Sequence, residues 1–261
     1  MTPPPTAPAS DRWLPRPRHN RHTRVRLFCF PYAGGGAAVF RLWARSLPAA
    51  IEVCPIELPG RGNRISEPPF RRIEPLAHAI ADIIRPYLDK PYALFGHSLG
   101  AILAFDLARK LRREQQPHPV HLFASGCRAP HLLDRTSSRY DLPDQDLVEE
   151  LRTLNGTPAE ALANRELMAV MLPILRADFE ALDTYVYAAE PPLQCPLTVF
   201  GGLHDDGITR EELEAWREQT NAGVRVCLLP GDHFFVNTAP ALLLRLIADE
   251  LDDATYRCHV G

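Results

Sequence analysis

The six cysteines of this 261-residue chain, Cys29, Cys54, Cys127, Cys195, Cys227 and Cys258, include no C-x-x-C pair. That argues against a zinc site and against a disulfide framework. Several lie in apolar, strand-like runs, as buried free thiols in a reducing cytoplasm would. Positive charge is not in excess either: a formal net charge of -3 and a pI near 6.4 argue against a globally basic nucleic-acid-binding surface. No run of about 18 apolar residues occurs, which excludes a transmembrane helix, and the amino-terminal residues lack the apolar core of a signal peptide. Neither G-x-x-x-x-G-K-[ST] nor G-x-G-x-x-G is present, so nothing points to a nucleotide site. There is no internal repeat. The expectation left standing is a cytoplasmic protein with no nucleic-acid, membrane or metal partner.

What is present is enough apolar residue, 46% of the chain, for one sizeable domain. Residues 1–23, rich in proline and arginine, read as a disordered leader, and 254–261 as a loose tail. Between them, strand-like runs at Val25 to Phe30, Ile51 to Ile56, Tyr92 to Phe95, Val120 to Ala124, Leu197 to Phe200 and Val224 to Leu229 alternate with amphipathic helical segments. The helical segments are Leu76 to Leu88, Leu99 to Arg113, Arg210 to Thr220 and Pro240 to Leu251. This alternation predicts an α/β fold with a mostly parallel central sheet flanked by helices. From about residue 128 to 192 the alternation stops. Helical patterns at Asp144 to Leu154, Ala159 to Asn164 and Arg165 to Tyr187 pass without a strand, so this stretch is expected to sit above the sheet as a helical lid. Pro173 predicts a kink or a break between two lid helices.

Tyr92 to Phe95 runs directly into Gly96-His97-Ser98-Leu99-Gly100 and then into a helical run. Strand, G-x-S-x-G and helix in that order form a nucleophile elbow, in which Ser98 projects from a strained turn at the carboxyl edge of the sheet. An acid and a histidine should follow, each on a loop after a later strand. Asp205, with Asp206 as its neighbour and rival, follows Leu197 to Phe200. His233 follows Val224 to Leu229 and is the expected base. His97 is expected to pack behind the site, and Asp232 is too close in sequence to orient His233. Pro31 to Gly36 forms a glycine-rich loop after the first strand, so backbone N–H groups of Ala33 and Leu99 are the candidate oxyanion hole. Met168 and Met171 fall in the lid, where flexible thioethers suit either an acyl pocket or simple core filling.

Phe30-Pro31-Tyr32-Ala33-Gly34-Gly35, Glu57-Leu58-Pro59-Gly60-Arg61-Gly62-Asn63-Arg64 and Glu67-Pro68-Pro69 resemble the free-standing type II thioesterases of polyketide and nonribosomal-peptide assembly lines, within the α/β-hydrolase superfamily. The likeness continues through Ser125-Gly126-Cys127-Arg128-Ala129-Pro130, Leu175-Arg176-Ala177-Asp178-Phe179 and Gly231-Asp232-His233-Phe234-Phe235, covering about residues 25–250. It implies Ser98, Asp205 and His233 as a catalytic triad. It further implies hydrolysis of stalled or aberrant acyl units from the phosphopantetheine arm of an acyl or peptidyl carrier protein. No cofactor of the protein's own is implied, since the phosphopantetheine belongs to the partner, and a monomer is expected. Two departures stand out: Leu99 where methionine is commoner, and Asp205-Asp206-Gly207 where Asp-Pro is commoner. Open alternatives are a carboxylesterase or lipase, a product-releasing or cyclising thioesterase, and a non-catalytic binding protein on the same fold. The absence of a G-x-D-S-L carrier motif disfavours the second, and the filled triad positions disfavour the third.

Overall fold

The computed structural model describes residues 12–15, 22–133, 136 and 138–260, the last six of these in backbone only. Six strands form one parallel sheet: β1 (Val25–Phe30), β2 (Ile51–Pro55), β3 (Tyr92–His97), β4 (His121–Ser125), β5 (Leu197–Gly202) and β6 (Val224–Leu229). Their order is β2-β1-β3-β4-β5-β6, with every pair parallel. Strands covered on both faces need apolar residues at nearly every position, which is why these segments read as continuous runs. The two-residue period sorts them between layers. Phe28, Phe30 and Leu94 face one side, while Leu27, Cys29 and Phe95 face the other.

The α-helices are α1 (Trp43–Ser46), α2 (Ile73–Ile84), α3 (Leu99–Arg113), α4 (Asp144–Leu154), α5 (Ala159–Ala163), α6 (Arg165–Asp183), α7 (Arg210–Glu214), α8 (Phe235–Thr238) and α9 (Pro240–Val260). On one face α2 and α3 pack with Trp216; on the other lie Trp43 of α1 and Leu243, Leu244, Ile247 and Leu251 of α9. Every residue of α3 from Leu99 to Leu111 is buried. Its two buried cations are paired, Arg109 with Glu190 at 2.6 Å and Lys110 with Glu114 at 2.6 Å, while Asp106, among the described residues, accepts only the Tyr185 hydroxyl at 3.4 Å.

Between β4 and β5, helices α4 to α6 build a small core of their own from Leu147, Leu151, Leu162, Met168, Leu172, Leu175 and Phe179. The strand order decides where a site can form. The chain leaves β1 for the outer β2, then returns to β3 on the opposite side of β1. This reversal opens a crevice between the β1 and β3 loops at the carboxyl ends of the strands.

Several expectations are corrected. Of the kink or break expected at Pro173, the break does not occur: α6 is one helix through it, because losing the single bond from residue 173 to the carbonyl of Ala169 is offset by the face that α6 buries. The leader is not wholly free of structure. Trp13 and Leu14 are buried, the Trp13 carbonyl accepts the Glu57 N–H at 2.8 Å, and the Arg64 guanidinium lies 3.7 Å from the Trp13 ring centre. An indole that covers apolar surface and stacks an arginine anchors even a polar, proline-rich segment. Residues 1–11 and 16–21 of the expected leader lie outside the described residues. The expected loose tail is helical through Val260, as α9 continues beyond its buried Leu251 and Ala254. Finally, the helical segment expected over 210–220 divides into α7 and a 3-10 turn at Ala215–Gln219.

Candidate active site

The site is built from the ends of β1, β3, β5 and β6. Ser98 closes β3 with φ 54° and ψ −116°, a left-handed conformation that a non-glycine residue adopts at a cost of about 1–3 kcal/mol. The surroundings impose it. A Cβ on Gly96 would lie 1.9 Å from the Gly100 carbonyl oxygen, and one on Gly100 would lie 2.2 Å from that of Phe30. Glycine at both positions lets β1, β3 and the start of α3 converge around the serine, whose N–H donates to the Ser125 carbonyl at 2.7 Å. Leu99 begins α3, so its N–H is one of the helix's unpaired first-turn donors.

Asp205 and His233 come together because the β5–β6 pairing continues beyond the strands. The Leu203 N–H donates to the Leu229 carbonyl at 2.8 Å, and the His204 N–H to that of Gly231 at 2.9 Å. A capping box then starts α7 directly after the acid loop: the Glu212 N–H donates to Thr209 Oγ1 at 3.2 Å, and the Thr209 N–H to Glu212 Oε2 at 2.9 Å. In this frame His233 Nδ1 lies 2.7 Å from Asp205 Oδ2, and Asp205 Oδ1 accepts the Gly207 N–H at 3.1 Å. Asp206 and His204 are exposed. Asp232 is occupied elsewhere, accepting from the Phe234 N–H at 2.9 Å and from Asn155 Nδ2 of the lid at 2.8 Å. With Nδ1 engaged, Nε2 is the nitrogen left to His233 for proton exchange.

His97 is fully buried, with Nδ1 2.9 Å from Ser125 Oγ and its ring centre 5.3 Å from that of His233. Burial, reinforced by repulsion from His233, holds its pKa well below the usual range, so it stays uncharged beside His233.

Ser98, Asp205, His233 and Ala33 line one cavity of about 520 Å³. Its far wall comes from the lid: Leu151, Leu154, Met171, Leu175 and Phe179. Met168 does not line it. That side chain turns into the lid core, whereas Met171, three residues on, reaches the cavity. Leu99 contributes no side chain to the lining and is buried beneath the elbow.

Two groups of residues given no role from sequence enter the site. The first is Arg61 and Asp178, an ion pair at 2.7 Å whose members also bond the glycine-rich loop. The signal was an aspartate on the apolar face of α6, in line with Met171 and Leu175. The second is Arg139 and Asp183 on the cavity wall, joined through the Arg139 side chain and through its N–H at 2.9 Å.

A thioesterase-domain family model matches residues 25–251. The chain is 43% identical over 241 residues to the gramicidin S biosynthesis protein GrsT of Aneurinibacillus migulanus, covering 92% of this chain and 94% of that protein. It also resembles the solved structure of RedJ, a thioesterase from the prodiginine biosynthetic pathway of Streptomyces coelicolor, with a TM-score of 0.84 and 40% identity over 95% of this chain and 91% of that one. BorB, a type II thioesterase from the borrelidin biosynthetic cluster, superposes with a TM-score of 0.84 at 34% identity, over 94% of this chain and 100% of that one. With the elbow, the histidine–aspartate pair and the lidded cavity in place, the chain belongs to the thioesterase family, and within it to the type II thioesterases of nonribosomal-peptide and polyketide biosynthesis.

Proposed function

We propose that this enzyme frees carrier proteins of stalled or aberrant acyl units by hydrolysing the thioester to the phosphopantetheine arm, with Ser98, His233 and Asp205 as its triad. The observation that carries the reading is the single cavity that holds the serine, the bonded histidine–aspartate pair and the glycine-rich loop at one end and an apolar lid wall at the other. Ser98 Oγ attacks the thioester carbonyl while His233 Nε2 takes its proton. The carbonyl oxygen, now anionic, accepts the N–H groups of Ala33 and Leu99. Collapse expels the thiol with the proton from His233, and water repeats the sequence on the acyl-serine. Asp205 holds the imidazole tautomer and stabilises the imidazolium. A thiol leaves readily, its pKa of about 8.5 lying far below that of an alcohol. The buried free thiols Cys29, Cys54, Cys127 and Cys195 suit a reducing cytoplasm.

Single-turnover hydrolysis of an acylated carrier protein, beside the matching small oxygen ester, tests this. Efficient cleavage of the carrier thioester, poor cleavage of the ester, and loss of both in Ser98→Ala are expected. Preference for the oxygen ester would refute the substrate assignment, and full activity in Ser98→Ala would refute the nucleophile.

A further inference from the structure

The glycine-rich loop is held by an ion pair that spans from the lid to the body. Arg61, in the turn after β2, and Asp178, on α6, are both buried. Their contact is bidentate, Nη1 to Oδ2 at 2.7 Å and Nη2 to Oδ1 at 2.8 Å. Each partner also bonds the loop. Asp178 Oδ2 accepts the Gly34 N–H at 2.7 Å, and Arg61 Nη1 donates to the Gly35 carbonyl at 3.0 Å. Glu57 secures the far end, with Oε1 accepting the Ala37 N–H at 3.2 Å. Gly34 has φ +77°, and a Cβ there would lie 2.7 Å from Leu175 Cδ2, one turn before Asp178. The lid helix therefore touches the loop by packing and by charge at adjacent positions.

A buried ion pair is a poor source of stability, because desolvation consumes most of its attraction and apolar residues of similar volume often do as well. Here both charges are spent on backbone groups of one loop, where a small displacement of a donor is felt in the transition state. We infer that Arg61 and Asp178 are positioning residues that set the Ala33 N–H from the lid helix, so that oxyanion stabilisation requires the carboxyl half of α6 to be docked. The inference rests on the proposed role of Ala33 as an oxyanion donor. Leu175 and Phe179 of the same helix line the acyl cavity, so the wall that receives the substrate also fixes the loop that stabilises its transition state.

The test compares Asp178→Asn, Arg61→Lys and the double variant Arg61→Met/Asp178→Leu. Each is assayed for kcat and KM on an acyl thioester, for thermal midpoint, and for affinity toward two inhibitors. One is an acyl trifluoromethyl ketone, which forms a tetrahedral oxyanion on Ser98; the other is a thioether in which CH2 replaces the carbonyl. Loss of an oxyanion donor outright costs about a hundredfold to a thousandfold, so displacement is expected to lower kcat about tenfold to a hundredfold. Ketone affinity should fall by the same factor while thioether affinity changes less than about twofold, because only the tetrahedral state uses the loop. The double variant should regain thermal stability without regaining kcat or ketone affinity. Recovery of kcat together with stability in the double variant would overturn the inference, as would wild-type kcat and ketone affinity in Asp178→Asn. Failure of the underlying reading looks different: Ser98→Ala would retain turnover, or the ketone would bind wild type no better than the thioether.

Discussion

The two adjacent aspartates of the acid loop offer a sharp test of the triad. Asp205 Oδ2 stands 2.7 Å from His233 Nδ1, with the two side chains 7% and 16% exposed, whereas Asp206 faces solvent. When His233 becomes an imidazolium, a carboxylate at this distance stabilises it by roughly 6 kcal/mol at an effective dielectric of about 20. Asparagine at 205 keeps a dipole but no charge, and its amide can donate to Nδ1, which strands the ring proton on Nε2 and blocks the base. If the residual dipole retains about a quarter of the interaction, the barrier rises by about 4–5 kcal/mol, or three to four powers of ten in rate at about 1.4 kcal/mol per tenfold. Single-turnover hydrolysis of an acyl thioester at neutral pH, with thermal melts as a control for folding, measures this directly. Asp206→Asn should stay within about twofold of wild type, since a solvated carboxylate is screened from the ring. A larger loss in Asp206→Asn than in Asp205→Asn would refute the assignment, and so would a loss below about tenfold in Asp205→Asn, because the charge would then be doing less than 1.4 kcal/mol of work.

Three further outcomes follow from the same structure. Asn155 of the lid donates to Asp232 next to His233, and a Cβ on Gly156 would lie 2.0 Å from the Phe234 ring, so the lid meets the loop that carries His233 at this contact. A disulfide between Asn155→Cys and Asp232→Cys should slow hydrolysis of acylated carrier protein reversibly, with reductant restoring the rate of the reduced double variant; an equal rate in both redox states would rule out lid motion as the gate. Burial raises the pKa of Asp106, more than nearby Arg109 and Arg113 lower it. A raised folded-state pKa gives stability that is full below the unfolded value and is lost as pH rises through the folded one, so charged Asp106 weakens the fold at neutral pH. Asp106→Asn should therefore raise the melting temperature at neutral pH, with the gain shrinking as pH falls toward the ordinary aspartate range; a gain that grows on acidification would contradict this. Burial also pushes the Cys127 and Cys195 thiols up to about 12. Neither should be alkylated by iodoacetamide in native protein at mildly alkaline pH, although both should react once unfolded, as mapped by peptide mass spectrometry; native labelling at Cys127 would refute its burial.

The parts of this molecule that are legible in sequence are those whose physics is local. A doubly covered parallel strand is apolar at most positions, so β1 to β5 show themselves despite Arg26, Glu52 and His121, and β6, partly exposed at the sheet edge, still carries four apolar residues besides Arg225 and Cys227. The elbow must be G-x-S-x-G because Gly96 and Gly100 meet backbone at 1.9 and 2.2 Å. The acid and base could be narrowed to loops because strand order places those loops beside the serine. Asp205 is preferred over Asp206 already in sequence, and the structure adds that its side chain turns toward His233, with the Gly207 N–H on its other oxygen and the Thr209 capping box downstream. Long-range partnerships leave only a faint local trace, such as Asp178 on the apolar face of α6. Arg61 and Asp178 are 117 residues apart, and an aspartate within a helix or an arginine within a turn reads as solvated until the fold buries both. Trp13 misled for the same reason: proline and arginine around it outweigh one indole in composition, yet that indole finds Arg64 and Phe70 across the chain. Met168 and Met171 differ only in which face of α6 they occupy, and the lid has two apolar faces to fill, its own core and the cavity wall. Helical period alone turns both methionines inward, Met168 buried and Met171 partly so. Only the packing of α6 against α4 and α5 decides which one a substrate can touch.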